Sequence, residues 1–210
     1  MEWNLMEQII SYLSRGGIVM IPLLLCSVIG VAIIIEKSFV LRKRKILIPE
    51  IISVVESIET QKDIELANRV CRKHSGPFAN ILLVALNLQE YPKEEIKELT
   101  EEQGRQEVRS LEKGLSVMET IASISPLLGL LGTVIGMIKV FTVISTQGAG
   151  QARALSGGIS EALITTATGL VIGIPILVAY NYFTNRAENF ILDIEKYSTR
   201  LVQKIKRIQE

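Results

Sequence analysis

The chain has 210 residues, 48% of them apolar and 21% charged, with a net charge of +1. That balance disfavours a basic nucleic-acid-binding domain, and two cysteines with one histidine supply neither a disulfide framework nor a metal cluster. So much apolar content beside so much charge implies blocks kept apart along the chain.

In chain order, residues 1–15 come first. Trp3, Met6, Ile9, Ile10 and Leu13 recur at helical spacing. They predict a short amphipathic helix on the outer membrane interface, with Trp3 at headgroup depth; a frayed terminus fits the same residues. The first predicted span covers 16–37 and is built on Ile18 to Ile35, 18 residues without a charge. At about 1.5 Å per residue this run approaches the roughly 30 Å of a hydrocarbon core. Its flanks are the reverse of a signal peptide: Glu2 and Glu7 precede it, and the basic cluster Lys37, Arg42, Lys43, Arg44 and Lys45 follows.

Residues 38–118 are polar with helical stripes, predicting a cytoplasmic helical domain. Ile48, Ile51, Ile52, Val55 and Ile58 form one stripe; Ile64, Ala67, Val70 and Cys71 form another. Gly76-Pro77 and Tyr91-Pro92 are breaks, between which Phe78, Ile81, Leu82, Ala85 and Leu86 make a third stripe. From Lys93 no proline intervenes until Pro126, and Ile96, Leu99, Val108, Leu111, Leu115 and Met118 continue the pattern. One helix is expected from about Lys93 through span two, with Glu94/Lys97 and Glu101/Arg105 as supporting pairs.

Span two is placed at 119–144, a short periplasmic loop at 145–160, and span three at 161–183. Thr120 to Ile144 carries one charge, Lys139, and Ala162 to Tyr182 carries none. Residues 184–210 continue as a helix whose apolar positions are Phe190, Ile194, Tyr197, Leu201, Ile205 and Ile208. Each long helix has roughly 50 residues, about 75 Å, so its apolar stripe outside the bilayer needs cover from the 46–92 helices or from other subunits. The basic segments flanking spans one and three, against a lone Arg153 in the loop, put the N-terminus outside and the C-terminus in the cytoplasm. The fold class is therefore an all-α integral membrane protein with three transmembrane helices, two of them extending into a cytoplasmic helical domain.

The spans hold an unusual set of small and polar residues. Gly129, Gly132 and Gly136 in span two, and Gly169 and Gly173 in span three, suit close helix packing. Pro126 and Pro175 are kink positions. Thr165, Thr166 and Thr168 exceed what packing requires and are candidates, with Thr133, for a polar path. Glu161 opens span three, where a carboxylate would face the helix dipole, and Lys139 can snorkel outward. No Asp, Glu or His lies inside any of the three apolar runs. A proton relay needs a titratable group at membrane depth, so a conducting assembly must receive that group from another polypeptide. His74, beside Cys71, reads as a surface residue, and no nucleotide, hydrolase or zinc-protease motif is present; no enzymatic constellation and no cofactor site emerge.

Ser125-Pro-Leu-Leu-Gly-Leu-Leu-Gly-Thr-Val-Ile-Gly-Met-Ile138 and Gly157-Gly-Ile-Ser-Glu-Ala-Leu-Ile-Thr-Thr-Ala-Thr-Gly-Leu170, with Ile174-Pro175 and Ala179-Tyr-Asn181, resemble spans two and three of the MotA/TolQ/ExbB proton-channel family. Three spans rather than four resemble its ExbB/TolQ branch. The resemblance implies a homopentamer around a pore in a bacterial inner membrane. It also implies a dimeric ExbD/TolR-like single-span partner carrying a membrane Asp, and a TonB-like or TolA-like protein beyond it. By motif position Thr133 and Thr166 correspond to the family's pore-facing threonines and Glu161 to its motif glutamate; Lys139 departs from the usual neutral residue. The reading that follows is the pore subunit of a proton-driven motor acting on the cell envelope. The alternative is a non-conducting membrane scaffold whose threonines only join helices.

Overall fold

A computed structural model describes residues 16–42, 46–148 and 152–209. The expected interfacial helix at 1–15 lies outside the described residues. Among those described, the chain is helical without strands. The helices are α1 (Met20–Val40), α2 (Pro49–Ser57), α3 (Gln61–Lys73), α4 (Pro77–Asn87), α5 (Lys93–Glu112), α6 (Leu115–Gln147) and α7 (Ala152–Gln209). Helices α1, α6 and α7 are long and apolar enough to cross a membrane.

Contacts divide the chain into two units. The first comprises the described residues up to 35 together with 114–181, and it is packed inside out relative to a soluble protein. Where α6 and α7 pack together, most buried positions are small: Ser125, Gly129, Gly132, Gly136, Ala162, Thr165, Gly169 and Gly173, with larger buried side chains such as Leu115, Met118, Ile121, Val140 and Ile176 towards the ends. Many other large side chains point outward, with Leu127 62%, Leu163 64% and Val171 71% exposed. Lipid is as apolar as leucine, so no hydrophobic force draws these side chains inward. Close van der Waals approach of backbones, which only small residues permit, is what remains. Helix α1 joins through Val19, Met20 and Leu23, which pack with Leu128, Ile135 and Ile172.

The second unit comprises residues 36–113 and 182–210. Here the soluble rule holds. Ile51, Val55 and Ile58, then Ile64, Ala67 and Cys71, then Phe78, Ile81, Leu82, Ala85 and Leu86 are buried. Phe190, Ile194, Leu201 and Ile205 of α7 are likewise buried, at most 5% exposed, and Phe78 stacks edge-on to Tyr197 with ring centroids 5.7 Å apart. The apolar stripe of the C-terminal helix is thus covered within the chain. Local signals open the helices: Pro49 and Pro77 occupy first-turn positions of α2 and α4, and the Asp63 carboxylate accepts from the Thr60 and Glu59 backbone N–H groups and the Thr60 hydroxyl at the start of α3.

The structure differs from several expectations. The helix expected to run unbroken from Lys93 through span two stops at Glu112 and restarts at Leu115. Lys113 is non-helical at φ −51°, ψ 125°, and Gly114 is left-handed at φ +88°, a conformation open to glycine without a Cβ clash. Helix α6 runs to Gln147 and α7 begins at Ala152, so both helices extend into the segment expected as a loop at 145–160. Glu161 consequently lies well inside α7 rather than at a helix N-terminus. Of the surface charges on α5, Lys97 pairs with Glu101 at 3.7 Å, not Glu94/Lys97 or Glu101/Arg105. Pro126 and Pro175 both sit inside continuous helices.

Candidate functional site

The antiparallel α6–α7 contact is built from glycine. A Cβ placed on Gly129 would lie 2.9 Å from the Thr165 carbonyl oxygen, and one on Gly136 would lie 2.8 Å from that of Gly158. On Gly169 it would lie 2.5 Å from the Ser125 carbonyl, and on Gly173 2.9 Å from Cδ of Pro126. Gly132 faces the Thr165 side chain. Since the backbones touch at these points, hydroxyls of one helix reach carbonyls of the other.

That reach creates the site. The Thr166 hydroxyl donates to the Gly129 carbonyl across the interface at 3.0 Å. The Thr133 hydroxyl hydrogen-bonds to the Thr166 hydroxyl and lies 3.2 Å from the Ala162 carbonyl. Each hydroxyl has one hydrogen and two lone pairs. With both hydrogens directed at oxygens within the subunit, the pair presents spare acceptor capacity to its surroundings. Both threonines are only half-buried, so a water, or a protonated group on another chain, would meet acceptors there.

Thr165 and Thr168 differ. Thr165 is fully buried, and its hydroxyl bonds back to the Ala162 and Glu161 carbonyls at 2.9 and 3.1 Å. Thr168 bonds to the Ile164 carbonyl of its own helix at 2.8 Å. Thr165, expected to line a polar path, is buried against Gly132, whereas Thr133 and Thr166 are half-buried. Glu161 and Lys139 are joined by a 2.5 Å contact between Oε1 and Nζ. Sequence reasoning treated the two charges separately, since residues 22 positions apart give no sign of pairing until the register of α6 on α7 is known.

Three lysines that the sequence offers as orientation signals also prove to hold the fold. Lys37 is buried at 1% exposure, and its ammonium donates to the Leu111 carbonyl at the end of α5 at 2.9 Å. Lys204 donates to the Glu56 and Ile58 carbonyls at the end of α2, and Lys206 to the Gln89 carbonyl just past α4. Each meets a helix C-terminus, where carbonyls lack partners and the dipole is negative. Burial pushes the Cys71 thiol up to about 11, which suits a core side chain and not a nucleophile. His74 Nε2 contacts Glu50 at 2.8 Å, tying α3 to α2.

Residues 73–196 match the MotA/TolQ/ExbB proton channel family. Over 170 residues the chain is 33% identical to a Synechocystis protein named ExbB-like 3, covering 80% of this chain and 81% of that one. It is 31% identical to the biopolymer transport protein ExbB of Pseudomonas putida over 202 residues, 90% of this chain and 60% of the relative. Over 85 residues it is 41% identical to the Tol-Pal system protein TolQ of Pseudomonas aeruginosa, 40% of this chain and 37% of that one.

Proposed function

Because the chain belongs to the MotA/TolQ/ExbB proton channel family, in its ExbB/TolQ-like branch, we propose that it is the pore-forming subunit of a proton-driven motor of the bacterial inner membrane. Its copies, five by analogy with the family, surround the membrane helices of a dimeric ExbD/TolR-like partner. The N-terminus lies in the periplasm and the C-terminus in the cytoplasm, with α2–α5 and the end of α7 as the cytoplasmic body. The carrying observation is the Thr133–Thr166 hydroxyl pair, half-buried at the α6–α7 seam of spans whose interiors hold no Asp, Glu or His. An acceptor pair without a titratable group can pass a proton only with help. A partner Asp that donates to it when protonated and leaves when ionised supplies that help. Each charge moved is worth about 2.3 kcal/mol per 100 mV of membrane potential, which the partner transmits to the envelope as work in TonB-dependent uptake or a Tol-Pal function.

The test is Thr133→Val with Thr166→Val, which preserves shape and removes both hydroxyls. Reconstituted with the partner, the double variant is expected to lose at least tenfold in proton flux while still assembling. Wild-type flux would overturn the pore role. The bonds these hydroxyls make inside the subunit also fit a second reading, a non-conducting scaffold in which they only join α6 to α7. On that reading the wild-type complex shows no proton flux above lipid alone.

A further inference from the structure

Three parts of the first unit meet around one carboxylate. Glu161, on α7, is held by the Lys139 ammonium of α6 at 2.5 Å. Against the same carboxylate oxygen lies the turn that precedes α1. Gly17 there has φ +66°, and a Cβ on it would fall 2.0 Å from Glu161 Oε1. A side chain there would be strained by the backbone angle and would displace the carboxylate. The Glu161 side chain is 17% exposed and that of Lys139 52%. Charged side chains in or beside a span are retained where they pair with one another, and an ammonium donating to a carboxylate makes a charge-assisted hydrogen bond. Glu161 also stands five residues before Thr166 on one continuous helix, about 7.5 Å along its axis. Its carboxylate therefore marks the outer approach to the hydroxyl pair.

We propose that Lys139 is the positioning residue of the Glu161 carboxylate, holding it against the Gly17 turn so that the outer end of the proton path presents a fixed, charge-neutral pair. This rests on the pore reading above. Lys139 acts through Glu161 and need not touch the proton itself. Without Lys139 the carboxylate loses its cation and is free to swing into the path. Any side chain added at position 17 expels it from its seat.

The experiment uses the full chain reconstituted in liposomes with its single-span partner, with proton flux read by a pH-sensitive dye and assembly by the amount of co-purified partner. Lys139→Met is expected to lower flux at least fivefold with assembly unchanged, and Lys139→Arg to keep at least half the wild-type flux. In the exchanged pair, Lys139→Glu with Glu161→Lys, flux should recover relative to Lys139→Glu alone. Glu161→Gln combined with Lys139→Met should be no worse than Glu161→Gln. Wild-type flux in Lys139→Met, or fully additive losses in the double variant, would overturn the proposal. Loss of assembly in Lys139→Met with no recovery on exchange would also overturn it, by making the pair a stability contact only. Thr133→Val with Thr166→Val run beside these separates the two ideas: normal flux there removes the pore reading itself, whereas reduced flux there with normal flux in Lys139→Met removes only the role of Lys139.

Discussion

At the scale of single residues, the chain uses polar atoms where geometry leaves the backbone incomplete. Lys37, Lys204 and Lys206 each meet carbonyls at a helix end, and Asp63 gathers two backbone N–H groups and a hydroxyl at a helix start. The Thr60 hydroxyl first, then the N–H groups of Glu59 and Thr60, hold the Asp63 carboxyl below its ordinary value. A carboxyl depressed in the folded state stabilises fully above its unfolded value, near 4, and loses that contribution as pH falls through the folded value. Asp63→Asn is therefore expected to lower the thermal midpoint at pH 7, with the gap to wild type closing as pH drops below about 4. A gap that stays constant from pH 7 to pH 3 would show that hydrogen-bond geometry alone, without charge, accounts for the cap. None of these lysine contacts was legible in the sequence. A lysine beside a span or in its basic tail satisfies the topology rule whether or not its ammonium also caps a helix 74 or more positions away.

At the scale of elements, glycine plays opposite parts in different helices. On α7, Gly169 sits where a methyl group would lie 2.5 Å from a backbone oxygen of α6. On α5, Gly104 has open space around the same position. Gly169→Ala is expected to destabilise by about 1–3 kcal/mol through overpacking against an unyielding backbone. Gly104→Ala is expected to stabilise by about 1 kcal/mol, because only helix propensity changes. Thermal unfolding of the two variants in the same detergent should move the midpoint in opposite directions; equal shifts would refute the close packing at Gly169. The α5–α6 break follows the same logic. A helical pattern crossing one glycine reads as continuous, because glycine in a helix is tolerated as well as disruptive. Only the folded chain reveals that Gly114 adopts the left-handed conformation. The small-residue spacing itself was readable, since glycines four apart share a helix face; their exact partners depend on the antiparallel register.

At the scale of the whole molecule, an outer surface of leucine, isoleucine and valine on α1, α6 and α7 needs lipid or other copies of the chain to cover it. Native mass spectrometry of the complex purified with its partner is expected to show five copies of this chain and two of the single-span subunit; a monomer with no bound partner would contradict the assembly. Three spans, an all-helical polar body and the absence of an internal acid were determined by the sequence alone, because each depends on composition and on periodicity within one segment. The tertiary structure decided what depends on two segments at once. It paired Lys139 with Glu161 and Thr133 with Thr166, withdrew Thr165 into the helix contact, and covered the C-terminal stripe from within the chain. The physical reason is that hydroxyls and charges act over a few ångströms. Which of them come that close is set by how far glycine lets two backbones approach and by the register in which they do so.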